Sequence, residues 1–199
     1  MINFLTFSPR RNSKITQPNT KLLLLFCLLF NGLISGVIYA KNTQALGLFS
    51  GLIGQWSIDD YSLNAKGEWQ PAGGADWHFY PILNGTAIQD DWISPSMSKP
   101  APAQGRQFGT NIRIYNQKEK RWHMAWIANT GQKVESFKAI EQDGKIIMLG
   151  HYQGANTRIT FFDINQNSFS WMMERETHAN TKDKKIWQTI YKIQGTRVE

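Results

Sequence analysis

The chain has 199 residues, of which 41% are hydrophobic and 19% charged, so it is neither an intrinsically disordered nor a collagen-like protein. Its formal net charge is +7, but residues 1–40 carry four basic residues and no acidic one, and the remainder is nearly balanced. This small excess of positive charge after residue 40 argues against a nucleic-acid partner. The single cysteine, Cys27, excludes a disulfide framework within one chain and a cysteine-based zinc site.

The N-terminus has the order of a secretory signal. Residues 1–21 are polar and basic, and residues 22–39 form an uncharged, largely apolar run that ends before the small residue Ala40. We therefore expect residues 1–40 to be a signal peptide and residues 41–199 to be one exported domain, periplasmic or secreted. The alternative is an uncleaved anchor in the inner membrane, because the run is just long enough to cross a hydrocarbon core of ~30 Å.

The first predicted element after the leader is a short helix over residues 43–52. Leu46, Leu48, Phe49 and Leu52 form a one-sided apolar pattern behind Thr43, a residue type that caps helices. We expect this helix to plug one end of the β-structure that follows.

Short strands separated by turn residues make up the rest of the chain. The strongest turn signal is Asn84-Gly85, because Asn-Gly readily adopts the positive φ angles of a two-residue type I′ hairpin, and this hairpin places His78 opposite Asp91. Little between the strands is helical, so their pairing must be antiparallel. The predicted strands span residues 55–61, 67–70, 77–83, 86–93, 108–115, 121–128, 133–141, 145–152, 157–164, 168–176 and 185–193.

The predicted fold is therefore all-β, an antiparallel up-and-down barrel of about ten strands with a short N-terminal helix. Closure is favoured because it removes the exposed edges of the meander, and an open sandwich is the alternative. One connection is long: residues 94–107 contain three prolines and are interpreted either as a lid or binding loop or as a simple edge connection.

A Gly-x-Trp motif, Gly54-Gln55-Trp56, opens the first strand, and here the chain resembles the lipocalin and calycin barrels. In those barrels the tryptophan closes the floor and a basic residue near the C-terminus packs across it. The resemblance implies that Lys192 or Arg197 has this role.

Further motifs are Trp77-x-Phe79, the run 82–92, Phe108-Gly109-Thr110, Arg113-x-Tyr115, Trp122-x-x-x-Trp126 and Ser168-Phe169-x-Trp171-x-x-Glu174. Together they resemble a bacterial lipocalin-like family of unknown function. The likeness covers residues 48–195 and implies a lipocalin-like fold and export, but no activity. A Ser-x-Asp-Gly-Gly turn that members often have before the last strand is missing, and only Trp187 matches there.

Strand alternation brings a candidate site together. If Trp92 and Tyr115 point inward, Asp90 and Arg113 point inward with them, and buried charges need partners. We therefore predict an Asp90–Arg113 pair, joined by Tyr115, that either lines a tryptophan-walled pocket or only ties neighbouring strands together. Glu174 is a second candidate acid. The predicted ligand-binding residues are Asp90, Trp92, Arg113, Tyr115, Trp122, Trp126 and Glu174.

Motifs for metals, cofactors and nucleophiles are missing. The four histidines lack ligand spacing, and neither a glycine-rich phosphate loop nor a Gly-x-Ser-x-Gly elbow is present, so no metal or cofactor is predicted. The first hypothesis is a barrel that binds a small apolar or amphipathic molecule. The alternatives are an isomerase, cyclase or hydrolase that uses Asp90, Glu174 or a histidine as general base, and an envelope interaction protein whose barrel is filled by its own tryptophans.

Overall fold

The structure, a computed structural model, describes residues 44–178 and 185–198, and the predicted leader lies outside them. Within these ranges no helix has the length and apolar character needed to cross a membrane. A 3₁₀ helix, Gln44–Leu52, precedes eleven strands, and each predicted strand has its counterpart. The strands are β1 (Gly54–Leu63), β2 (Trp69–Pro71), β3 (Ala75–Ile82), β4 (Ala87–Ser94), β5 (Gln107–Asn116), β6 (Arg121–Ala128), β7 (Val134–Gln142), β8 (Lys145–Tyr152), β9 (Ala155–Phe162), β10 (Ser168–His178) and β11 (Lys185–Arg197).

The strands form a closed antiparallel barrel of lipocalin-like fold. From β3 to β11 each strand pairs with its neighbour in the chain, and β11 pairs with β1, which confirms the barrel over the open sandwich. The first half of β1 pairs with β3, and its second half pairs with the short β2. The barrel thus has ten strands, and β2 is an additional strand beside them.

The hairpin between β3 and β4 fixes which residues point inward. Asn84 and Gly85 have φ angles of 54° and 79°, and the Thr86 amide donates to the Leu83 carbonyl over 3.2 Å. His78 lies opposite Asp91, as predicted. This register places the buried side chains of β3 next to those of β4 on the inner face of the barrel.

The N-terminal 3₁₀ helix closes one end of the barrel. Leu46, Phe49 and Leu52 are buried, and the Phe49 ring lies 4.9 Å from Trp122 and 6.3 Å from Phe161 in edge-on contacts. The element is a kinked 3₁₀ helix rather than a regular helix, because Gly47 has a positive φ of 55°.

A cation–aromatic contact between Arg197 and Trp56 stabilises the end of the barrel that the 3₁₀ helix closes. The Arg197 guanidinium lies 4.1 Å from the Trp56 ring centroid and donates to the carbonyls of Ile53 (2.7 Å) and Gly51 (2.9 Å). Burial lowers the pKa of Arg197. Lys192 instead covers the ring of Trp69, at 4.2 Å. Of the two candidates for the basic residue across the floor, the structure selects Arg197.

Replacing Arg197 with Met removes this contact together with three charge-assisted hydrogen bonds, to the carbonyls of Ile53, Gly51 and Gln166. We expect the free energy of unfolding to fall by about 2 kcal/mol, measured by urea denaturation. The matched control is Lys192→Met, which deletes an exposed cation–aromatic contact and should change stability by less than about 0.5 kcal/mol. Equal effects of the two substitutions would contradict a locking role for Arg197.

Candidate ligand-binding cavity

The barrel contains a cavity of about 380 Å³, a volume typical of small-molecule sites. The barrel is therefore not filled solid by its own tryptophans. Strands β3 to β11 all contribute to a wall that is mainly aromatic and aliphatic. The lining residues are Trp77, Trp92, Gln107, Asn111, Arg113, Trp126, Phe137, Met148, Tyr152, Gln153, Ile159, Phe161, Trp171, Met173, Arg175, Ile190, Tyr191 and Ile193.

The structure brings Asp90 and Arg113 together as a fully buried ion pair. Both side chains are inaccessible to solvent, and Arg113 Nη1 donates to Asp90 Oδ2. The other carboxylate oxygen accepts bonds from Trp77 Nε1 (2.8 Å) and Asn111 Nδ2 (3.3 Å). Arg113 forms part of the cavity wall, whereas Asp90 lies behind it and does not line the cavity. The Asp90 carboxylate thus accepts three hydrogen bonds, as a buried polar group requires.

The arginine side of this pair is held by aromatic rings. The Arg113 guanidinium lies 5.3 Å from the ring centroids of both Phe49 and Phe79. Its Nε has no hydrogen-bond partner. Cation–aromatic contacts of this kind compensate for the loss of water around a buried guanidinium.

Two of the three tryptophans predicted to form the pocket wall, Trp92 and Trp126, line the cavity, and Trp122 does not. Tyr115, predicted to join the ion pair, does not line the cavity either. The Trp122 ring contacts Tyr115 at 5.4 Å and Phe49 at 4.9 Å, so both residues belong to the closed end beneath the cavity. Tyr115 and Trp122 lie near the hairpin that joins β5 to β6, at the end of the barrel that the 3₁₀ helix covers. Because they pack against each other and Trp122 packs against the helix, they do not line the cavity.

Glu174 points away from the cavity. It is on the opposite face of β10 from Trp171 and Met173, where Arg158 donates to both carboxylate oxygens over 2.6 and 2.9 Å. This bidentate pair raises the pKa of Arg158. The Arg158 guanidinium also covers the ring of Trp187 at 4.8 Å. The geometry gives Glu174 a role in tying β9 to β10 on the outside of the barrel.

The histidines do not reach the cavity wall either. His78, His151 and His178 are exposed, and His123 Nε2 lies 3.2 Å from the Glu119 carboxylate. In residues 44–178 and 185–198, no three His, Cys, Asp or Glu side chains are grouped to hold a metal ion. The general bases proposed for an enzyme thus do not line the cavity.

Polar residues gather at the end of the cavity opposite the 3₁₀ helix, which we call the mouth, formed by Gln107, Tyr152, Gln153, Arg175 and Tyr191. The sequence interpretation did not single them out as site residues. Strand alternation does place Arg175 on the same face of β10 as Trp171. Only the closed barrel shows that Arg175 lines the same cavity as Tyr152 of β8 and Tyr191 of β11.

Two tyrosines of the mouth are held in their neutral form. Tyr191 donates to Asp60, which also accepts the Gly74 amide at 2.7 Å. Burial and this carboxylate raise the pKa of Tyr191. Burial also raises the pKa of Tyr152, and the charge of Glu135 adds to the effect. Both hydroxyls remain protonated at neutral pH, so the mouth presents phenols and an arginine.

The long connection does not cover the cavity. None of residues 95–106 contributes to the lining. Ser96 Oγ and the Met97 amide both donate to the Asp76 carboxylate over 2.7 Å, and Arg106 Nε donates to the Pro95 carbonyl over 3.1 Å. The connection is therefore bound to the start of β3, as an edge connection would be.

Comparison with solved structures supports the fold. The chain is similar to the S-type phycobiliprotein lyase of Guillardia theta, with a TM-score of 0.50 and 12% sequence identity over 76% of this chain and 90% of that chain. Neither a protein-family model nor a curated protein sequence matches. At this identity the likeness supports a lipocalin-like barrel only.

Exchanging Arg113 for Met leaves Asp90 buried without its counter-charge. We expect the free energy of unfolding to fall by about 3–5 kcal/mol, measured by thermal or urea denaturation. The control Arg121→Met removes an exposed arginine and should cost less than about 0.5 kcal/mol. If R113M is as stable as R121M, the pair does not hold the barrel interior. Unchanged ligand binding by a folded R113M would mean that the pair is purely structural.

Proposed function

We propose that the protein binds a small apolar or amphipathic molecule inside its barrel. The observation that carries the proposal is the cavity of about 380 Å³, whose wall includes four tryptophans, Trp77, Trp92, Trp126 and Trp171. Such rings bury large apolar areas and also offer faces and edges to a planar ligand. Each Å² of apolar surface that a ligand removes from water contributes about 25 cal/mol, so an apolar body gains most by filling this space.

Polar groups in the wall are few and lie mainly at the mouth, an arrangement common in ligand pockets. Binding requires no general base, and Asp90, Glu174 and the histidines are engaged or directed elsewhere. These placements favour the binding function over the enzyme hypothesis.

In this proposal the protein belongs to the bacterial lipocalin-like family that its motifs resemble, and it is exported. The barrel and the Trp56–Arg197 contact support the first part. The basic segment 1–21 and the apolar run 22–39 support the second.

N-terminal sequencing of the protein from fractionated cells tests export. We expect soluble protein that begins at Lys41 in the periplasm or medium, because Ala40 is the small residue before the predicted cleavage point. Protein that begins at Met1 in the membrane fraction would instead support the anchor, and protein that begins at Met1 in the cytoplasm would contradict both.

A larger side chain in the cavity wall should weaken ligand binding. Met173 lines the cavity, whereas Met172 is on the opposite face of β10, so Met173→Trp and Met172→Trp form a matched pair. The probe is N-phenyl-1-naphthylamine, an uncharged dye that fluoresces in apolar sites. We expect saturable binding by the wild type and by M172W, and a loss of about tenfold or more in M173W because the indole occupies the ligand's space.

Thermal denaturation of both variants serves as the control for folding. Equal dye binding by the two folded variants would mean that the dye binds elsewhere, and no saturable binding by the wild type would contradict the proposed function.

A further inference from the structure

Arg175 differs from the other interior arginine in having no carboxylate partner. Arg113 is paired with Asp90 at the base of the cavity. Arg175 lines the mouth, and among residues 44–178 and 185–198 it takes part in no ion pair within 4.0 Å. The charge of Arg113 is thus balanced by Asp90. The charge of Arg175 has no carboxylate bonded to it among the described residues.

One N–H donor of the Arg175 guanidinium has no hydrogen-bond acceptor. Its Nη2 donates to Gln153 Oε1 over 3.0 Å, whereas its Nε is buried and has no acceptor. A buried guanidinium N–H without an acceptor is costly, and an acceptor supplied by a ligand would remove that cost. Nε and an adjacent Nη form the edge of the guanidinium that pairs side-on with both oxygens of a carboxylate.

Two carboxylates that bond to residues of the mouth, Glu135 and Asp60, have other donors as well. Glu135 accepts from Lys133 Nζ (2.8 Å) and from the Gln153 amide (3.1 Å). Asp60 accepts from Tyr191 and from the Gly74 amide. Neither carboxylate bonds to Arg175, so the Nε donor is left for a group that comes from outside the described residues.

A second donor lies in the same region. Tyr152 lines the cavity next to Gln153, and the positive charge of Arg175 acts on its hydroxyl. Because burial keeps this phenol protonated, it can donate to an anion held by the arginine. Deeper in the barrel the wall is mainly apolar and aromatic, with Phe137, Met148 and Ile159 among its members, and the charge of Arg113 there is balanced by Asp90. The cationic side chain without a carboxylate partner in the described residues thus lies at the mouth.

We propose that the ligand is an amphipathic organic acid, with its carboxylate bound at the mouth by Arg175 and Tyr152 and its apolar body directed toward the base. This inference rests on the proposed function and specifies the class of molecule bound. The orientation follows from charge: the Nε of each arginine lacks an acceptor, but at the base the charge of Arg113 is balanced by Asp90, whereas at the mouth Arg175 has no carboxylate partner among the described residues.

The test compares two probes that share one apolar chain and differ only in the head group, dodecanoate and 1-dodecanol. Both are titrated below their aggregation concentrations into the wild type, Arg175→Met and the exposed-arginine control Arg121→Met, by calorimetry at a pH where the acid is ionised. We expect the wild type and R121M to bind the acid more tightly than the alcohol. R175M should bind the acid about tenfold more weakly and the alcohol unchanged, because it loses one charge-assisted contact.

The possible outcomes distinguish a failure of the proposed role of Arg175 from a failure of the proposed binding function. Equal wild-type affinity for acid and alcohol, or an equal loss of both probes in R175M, would overturn the role of Arg175 and leave binding in the barrel intact. Failure of the wild type to bind either probe would overturn the proposed function and the inference with it. If R175M does not fold, the comparison of the two probes on the wild type still decides whether a carboxylate is preferred.

Discussion

The buried ion pair between Asp90 and Arg113 is the constraint on which the interior depends. Neither charge is stable in an apolar interior alone, so the two must meet with their hydrogen bonds satisfied. They meet because Asp90 lies opposite Asn111 on β5, which places Arg113 diagonally across the same face. A shift of one residue in this register would turn one partner to the outside and leave the other unpaired. The pair therefore specifies the alignment of β4 and β5 as well as linking them.

The aromatic core is organised around the same carboxylate. Trp77 donates its indole N–H to Asp90, and its ring lies 4.7 Å from Phe79, 5.1 Å from Trp92 and 5.6 Å from Phe161. The hydrogen bond to Asp90 favours one orientation of the Trp77 indole. In this orientation Trp77, together with Phe161, forms part of the cavity wall.

The distribution of charge along the barrel gives the cavity a direction. At its base the charge of Arg113 is balanced, and ring contacts surround the guanidinium. At its mouth Arg175 keeps a donor unused beside neutral phenols. Arg113 also has a buried Nε without an acceptor, but its charge is balanced by Asp90, whereas Arg175 has no carboxylate partner in residues 44–178 and 185–198. This contrast connects the architecture of the barrel to the chemistry of an amphipathic ligand.

The sequence by itself predicted the strands, their antiparallel order, the His78–Asp91 register and the grouping of Asp90 with Trp92 and of Arg113 with Tyr115. It favoured a closed barrel over an open sandwich, and it left open which face of the sheet points inward. These follow from local properties: turn residues mark the strand ends, and side chains alternate between two faces. Alternation also placed Glu174 opposite Trp171.

What only the tertiary structure decided is the height of each side chain along the barrel axis and its neighbours across the interior. Trp122 and Trp126 share one face of β6, yet the first packs under the 3₁₀ helix and the second lines the cavity. Likewise, Arg197 rather than Lys192 reaches Trp56, and Arg175 joins the mouth. Strand stagger and closure set these relations through contacts between residues distant in the chain. A local sequence pattern, which only groups residues by strand face, contains no information about them.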